Sequence, residues 1–472
     1  MNVRVRFAPS PTGYMHIGNV RTALFNWLFA RQKNGIFILR IEDTDLQRNV
    51  EDAVDVITEG LSWIGMDWDE GPEVGGDYGP YFQSQRLDLY HEHAQILLQN
   101  DRAYVCTCSP DKEETDCRCR DKMDEDKQIS EGNAVKFVNP GGTTEFADIV
   151  QDELSFENEQ FGDYILIKSD ETPTYNFANV VDDHAMDITH VIRGDDHVSN
   201  TPRQLMLYEA FDFEPPKFAH LPQILADDGA RMSKRHGAAS LNELRDRGFL
   251  PQATMNYLAL LGWAPEGERE FLNTEQLIQE FQLDRVNKSP AQFNMKRLIH
   301  LNSLHMEETP LEERAKLAAN ILKDQSLIDA ENLDSPEVMK KISAIVEALG
   351  TRFKYGEHIL DYGAHFFSDE YLEIDEDLYS YLSEPSVRAA LRDSASKFEQ
   401  LAQWTIDNIE QVIRDTADAH DLKAAPLIHA LRVSLSGKTV GPGLFTLVHL
   451  VGQDECARRI ESALEQVEQK AN

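Results

Sequence analysis

Residues 3–43 constrain the fold of this chain more than any other stretch. Val3, Val5 and Phe7 alternate with polar residues in NVRVRF, which reads as a strand. The loop APSPTGYMHIGN follows. NVRTALFNWLFARQK then carries Val20, Leu24, Trp27 and Leu28 at helical spacing. Asn34-Gly35 closes that helix as a C-terminal glycine does, and FILRIED reads as a second strand. Strand, crossover helix and parallel strand make the unit of a doubly wound α/β fold.

Ligands of such folds bind outside the carboxyl ends of the strands, where PSPTGYMHIGN lies. Backbone N–H groups and the helix dipole favour an anion there. Gly13 and Gly18 allow close approach of the backbone, and His16 adds a donor. On position alone such a loop is more often structural. A second segment bears on the same question. The chain has 46 Lys+Arg against 82 Asp+Glu, a formal charge of −36, yet RMSKRHGA at 231–238 concentrates cations. So acidic a chain repels nucleic acid on average, and any nucleic-acid partner must meet local basic patches. An isolated basic run is usually just solvated.

The 472 residues exceed one core, since single cores stop growing near ~250–300 residues. After the first unit, SQRLDLYHEHAQILLQN reads as helix, and NAVKFV, TEFADIV and YILIKS read as strands of an α+β insertion. The parallel-sheet pattern resumes at THVIRG. The following helix takes Thr201 as N-cap and Pro202 in its first turn. SLNELRDRGFLPQATMNYLALLGW has helical periodicity, and later segments such as LEERAKLAANIL, SKFEQLAQWTIDNIEQVI and DECARRIESALEQVEQ read as amphipathic helices. No stretch approaches the ~20 apolar residues that cross a bilayer, and the N-terminus lacks a signal-peptide run. A cytoplasmic location is the expectation.

Of five cysteines, Cys106, Cys108, Cys117 and Cys119 crowd into VCTCSPDKEETDCRC. Two C-x-C pairs on facing arms of a hairpin suit a closed, structural tetrahedral Zn²⁺ site, with four unliganded thiols as the alternative. Cys456 sits in a helical pattern and reads as core.

PSPTGYMHIGN resembles the first signature of class I aminoacyl-tRNA synthetases, in the form typical of glutamyl-tRNA synthetases, with Asn19 in place of the second histidine. RMSKRHGA resembles their second signature, with Arg231 and Arg235 at its ends. The resemblance continues through RIEDTD, PTYNFANVVDD, RGDDH, KSPAQF and VGPGLFTLV, nearly the whole chain. It implies a Rossmann-like doubly wound parallel sheet, split by an α+β insertion and followed by an all-α C-terminal half. The implied segments are 1–85 and 173–240 (catalytic), 86–172 (acceptor-end insertion), 241–305 (stem contact), 306–375 and 376–472 (anticodon-binding).

The implied activity is glutamate–tRNA ligation, with ATP, Mg²⁺, L-glutamate and tRNA-Glu, by a monomer that needs bound tRNA for glutamate activation. Pro9, Ser10, Thr12, His16, Gly18, Asn19, Asp196, Arg231, Met232, Ser233, Lys234 and Arg235 would bind ATP, with His16 and Lys234 catalytic. A cation held where charge builds on the phosphoryl oxygens stabilises the transition state more than the ground state. Arg6, Ser10, Glu42, Tyr175, Asn179 and Arg193 would hold glutamate, Glu42 on its ammonium; planar guanidinium forks suit carboxylates. Arg285, Lys288, Lys296 and Arg297 would meet tRNA, and Arg352, Lys354 and Lys438 are unranked anticodon candidates. Three rivals stand beside this reading: a glutaminyl-tRNA synthetase, whose members end in β-barrels; a truncated homologue acting on a modified tRNA base; and an idle RNA-binding protein.

Overall fold

The computed structural model describes residues 2–11, 15–44, 52–108, 119–122, 127–230, 232, 240–267, 269–333 and 335–471. The chain divides into two compact units, Met1–Leu244 with Pro251–Met295, and Arg245–Leu250 with Lys296–Asn472.

The first unit opens as the sequence predicts: β1 (Arg4–Phe7), α1 (Ile17–Gln32) and β2 (Ile36–Leu39), with β1 and β2 parallel and Arg6 opposite Ile38. α1 is buried almost all round. It lies on β1, β2 and the strand at 190–194 and is also packed by the helices at 251–259 and 274–280, so apolar residues occupy nearly every face. Its left-handed closing residue is Asn34 (φ 49°), not Gly35. Gly35 is needed for another reason: a Cβ there would lie 2.4 Å from the Val3 carbonyl oxygen. α2 (Ala53–Ile64), α3 (Leu87–Gln99), β3 (Ala103–Cys106) and β4 (Ala134–Phe137) come next.

β5 (Thr143–Asp148) and β6 (Asp152–Glu157) form an antiparallel hairpin, and β7 (Tyr164–Ile167) joins β4 and β3 in an antiparallel sheet. α4 (Tyr175–Ala185), β8 (His190–Gly194), α5 (Thr201–Phe211), β9 (Lys217–Leu221) and β10 (Ile224–Leu225) return to the parallel pattern. β8 and β9 are parallel, with Arg193 opposite His220, and Thr189 N–H donates to the Arg4 carbonyl at 2.9 Å beside β1. The β5–β6 hairpin, expected within the insertion sheet, instead extends this one, in the order β6–β5–β9–β8, through Asp148 opposite Phe218. Strand alternation reports a face, not which neighbour supplies the hydrogen bonds. Thr201 is the first helical residue of α5, not its cap; Asn200 precedes it without a side-chain capping bond. α6 (Leu241–Asp246), α7 (Pro251–Ala259), α8 (Thr274–Glu280) and β11 (Ala291–Gln292), parallel to β10, complete the unit.

The helical periodicity read over 240–263 is therefore shared between two helices, α6 and α7. In the second unit, Gly248 (φ +75°) accepts a hydrogen bond from Gly356 N–H at 2.9 Å, and a Cβ at Gly248 would lie 2.6 Å from the Gly356 Cα. The backbones cross too closely for a helix to pass. The remainder is α9 (Met295–Glu308), α10 (Leu311–Asp324), α11 (Pro336–Leu349), α12 (His358–Gly363), α13 (Pro385–Glu399), α14 (Ile406–Ala419), α15 (Ala424–Ser436), α16 (Leu444–Val451) and α17 (Gln453–Ala471). The segment 396–413, read as one helix, is split between α13 and α14. Thr405 starts α14 by accepting from Asn408 N–H. Among the described residues no strand follows β11, and no helix is long and apolar enough to cross a membrane.

Candidate active site

A cavity of about 520 Å³ opens in the first unit where β1, β8 and β9 end and α1 begins. Arg6, Ser10, Glu42, Tyr175, Asn179 and Arg193, the predicted glutamate set, all line it. So do Pro9, His16, Gly18, Asn19, Asp196 and Met232 of the predicted ATP set. Thr12, Arg231, Ser233, Lys234, Arg235 and Cys117 lie outside the described residues.

His16 caps α1 in extended conformation (φ −70°, ψ 149°), its side chain exposed and making no capping bond. The helix N-terminus thus presents its first N–H groups at the cavity. A Cβ built on Gly18 meets nothing within 4 Å, so protein packing does not demand glycine there. Open space against a cavity-lining backbone suits a ligand that approaches closely.

Arg6 is buried and donates from Nε to Asp183 Oδ1 at 3.1 Å. Asp183 also accepts from Arg40 at 2.7 Å, and Arg40 reaches Asn179 Oδ1 (3.0 Å) and Glu42 Oε1 (3.4 Å). Arg40 is fully buried, and its charge is held by Asp183, Asp182 and Glu42. Burial pushes the Glu42 carboxyl above its usual range, opposed by Arg40 and Arg6. An arriving ammonium would add a positive partner to the share of Arg40 that this carboxyl already has.

Arg193 is buried too, but its acceptors are neutral: His220 Nε2 (3.1 Å), Thr201 Oγ1 (2.8 Å) and the His197 carbonyl (3.4 Å). Tyr175 stacks on His197, with ring centroids 5.3 Å apart, and its hydroxyl is 3.2 Å from His197 Nδ1. Burial, and next the Arg193 charge, pull His197 down to about 4, so it is neutral near pH 7. Arg21, a further buried cation on the cavity wall, donates to the Pro222 and Leu261 carbonyls, and burial lowers it to about 10.

Sequence reasoning missed Arg40, Asp183, His197, Thr201, His220 and Arg21. Two signals were present. Arg40 interrupts an apolar strand in FILRIED, and Asp182-Asp183 follow Val180-Val181 inside a helix. Charges in otherwise buried patterns are almost always paired.

Cys106, Cys108 and Cys119 bring three Sγ atoms within 4.8 Å of one another, Cys108 and Cys119 at 3.5 Å. Thiolates at ~2.3 Å from a tetrahedral Zn²⁺ would sit under 4 Å apart, so the all-sulfur donor set suits that ion and the Cys108–Cys119 separation meets its spacing. Of the predicted tRNA contacts, Lys288 is exposed and paired with Asp152, while Arg285 bonds the Pro265 carbonyl (3.3 Å) and lies 3.6 Å from Glu266. Lys296 and Arg297 belong to the second unit and are exposed.

A helix N-terminus aimed into a cavity at the ends of parallel strands is the ligand site of a doubly wound α/β enzyme, and the family match makes that enzyme a class I aminoacyl-tRNA synthetase. Residues 2–300 match the family described as "tRNA synthetases class I (E and Q), catalytic domain", and residues 313–464 match "Anticodon binding domain". The glutamate–tRNA ligase of Moorella thermoacetica is 40% identical, over 98% of this chain and 98% of that one. Glutamate–tRNA ligase 2 of Rubrobacter xylanophilus is 42% identical, over 99% and 98%. A crystal structure of a glutamate tRNA ligase from Elizabethkingia meningosepticum, in complex with its amino acid, has a TM-score of 0.84 at 31% identity and covers 99% of this chain and 100% of that one. The chain belongs to the glutamate–tRNA ligases. Its substrates are accordingly ATP, glutamate and tRNA.

Proposed function

We propose that residues 9–19 and 231–238 grip the triphosphate of ATP while Arg6 and Arg193 grip glutamate. One observation supports this most: the two predicted sets come from segments scattered between residues 6 and 232, yet their described members share one cavity. A glutamate α-carboxylate oxygen attacks the α-phosphorus, the bond to the bridging oxygen breaks, and pyrophosphate leaves. His16 and Lys234 hold the charge that develops, as pre-placed donors do at a transition state. Bound Mg²⁺ supplies screening of the phosphate charges. A terminal ribose hydroxyl of tRNA-Glu then attacks the acyl carbon and AMP leaves.

Arg6 and Arg193 address the substrate carboxylates, Glu42 the ammonium, and Ser10, Tyr175 and Asn179 complete the polar wall. Glutamine would leave a buried guanidinium unpaired, a large penalty. Pro9, Thr12, Gly18, Asn19, Asp196, Arg231, Met232, Ser233 and Arg235 complete the nucleotide site. Cys106, Cys108, Cys117 and Cys119 hold a structural Zn²⁺. The insertion at 86–172 takes the acceptor end, 241–305 the stem through Arg285, Lys288, Lys296 and Arg297, and 306–375 with 376–472 the anticodon. The enzyme works as a cytoplasmic monomer.

ATP–pyrophosphate exchange with glutamate or glutamine, with and without tRNA, tests the reading. Exchange is expected with glutamate and tRNA only. In that assay Lys234→Ala should slow adenylate formation by ~10²–10³-fold, with a far smaller change in glutamate KM. An unchanged rate removes the role given to Lys234.

A further inference from the structure

Arg193 Nε–H can only donate, so His220 Nε2, 3.1 Å away, must present a lone pair. The His220 proton therefore sits on Nδ1, which faces Asp148 Oδ2 at 2.6 Å. The other oxygen of Asp148 accepts from the backbone N–H groups of Val150 (2.9 Å), Gln151 (2.8 Å) and His220 (3.2 Å). That carboxylate is locked against rotation, and it locks the imidazole tautomer in turn. Asp148 and His220 are fully buried at their side chains. Among the described residues no carboxylate lies within ion-pair distance of Arg193, whereas Arg6 meets Asp183 directly.

We propose that Asp148 and His220 are positioning residues which fix the plane of the Arg193 guanidinium while keeping a counter-charge one imidazole away from it. The inference rests on the assignment of Arg193 to glutamate made above. A carboxylate in contact with Arg193 would satisfy it before substrate arrived. A neutral imidazole orients the fork and leaves its charge for the incoming carboxylate. The three residues stand on adjacent strands, β5, β9 and β8, with Arg193 opposite His220 and Asp148 opposite Phe218, two residues before His220. This gives the β5–β6 hairpin a task in the catalytic sheet that an insertion element would not have.

The test is tRNA-dependent ATP–pyrophosphate exchange on the full chain, with glutamate KM, ATP KM and melting temperature measured together. In Asp148→Asn the amide N–H₂ faces His220 Nδ1, which must become the acceptor. The proton then moves to Nε2, against the Arg193 donor. Glutamate KM should rise about ten- to a hundredfold while ATP KM stays within about twofold. In His220→Gln alone the side-chain amide presents its carbonyl oxygen to Arg193 and its N–H₂ to Asp148, as the imidazole does. His220→Gln should therefore keep glutamate KM within about threefold of wild type, whereas His220→Leu, which offers no acceptor, should raise it as Asp148→Asn does, a split that a merely structural role would not produce. Asp148→Asn that leaves every constant unchanged overturns the inference. So does an equal rise in both KM values with a lower melting temperature in Asp148→Asn and His220→Gln alike. Arg193→Gln serves as reference: if it leaves glutamate KM unchanged, the assignment of Arg193 fails as well. If it raises KM while Asp148→Asn does not, the relay alone fails.

Discussion

Arg6 and Arg193 line one cavity and are both buried, but the protein treats their charges in opposite ways. Arg6 shares Asp183 with Arg40, in a network continued by Asp182, which accepts from Arg86 (2.7 Å), Gln83 (2.8 Å) and Tyr90 (2.9 Å). Among the described residues Arg193 has only neutral acceptors. The first arrangement binds β1, β2, α3 and α4 together, because breaking a compensated buried network exposes each member to an uncompensated charge. The second stores an unmet demand for an anion, which is useful only if a substrate meets it. The Arg6 side should therefore respond to mutation through stability, and the Arg193 side through glutamate binding.

The largest effect should come from Arg40→Met. It leaves Asp182, Asp183 and Glu42 buried without their common cation and should destabilise the first unit by ~3–5 kcal/mol, read by denaturant unfolding. Tyr90→Phe removes one donor to Asp182 and should cost ~1–1.5 kcal/mol, with little change in glutamate KM. Thr201→Val is the counterpart on the other side. It removes an acceptor of Arg193 at nearly constant volume, so glutamate KM should rise about threefold to tenfold while unfolding shifts by under ~1 kcal/mol. If Tyr90→Phe moved KM and Thr201→Val moved only stability, the contrast would be inverted.

The smallest effect concerns pH. His197 titrates near 4 in the folded chain, through burial and the Arg193 charge, against 6.5 ordinarily. The unfolded state binds that proton first, so this contribution is present above pH 6.5 and is lost as pH falls toward 4. His197→Asn should flatten the decline of melting temperature across that window; an unaltered slope would place the pH response elsewhere.

Much of this was legible in the residues. The alternation of Val3, Val5 and Phe7, the helix after His16 and the strand at FILRIED pointed to the parallel start, and the first signature loop, with Met232 of the second, picked out lining residues of the cavity. What escaped were partnerships between distant segments. Nothing local in TEFADIV says that Asp148 will stand near His220, because strand periodicity encodes a face and not a neighbour. Arg40 went unremarked because its partner Asp183 lies far along the chain. The periodicity over 240–263 did not show the break between α6 and α7, because the Gly248–Gly356 crossing is a tertiary fact. Helical periodicity survives such a break, since the residues on each side still bury one face.

The reserved charge on Arg193 is tested most directly by the ratio of kcat/KM for glutamate over glutamine in tRNA-dependent ATP–pyrophosphate exchange, wild type against Arg193→Gln. If the unpaired guanidinium selects the substrate, the ratio collapses by at least ~10²-fold, mostly through lost glutamate activity. A ratio that survives the substitution, with only a uniform fall in rate for both amino acids, contradicts it.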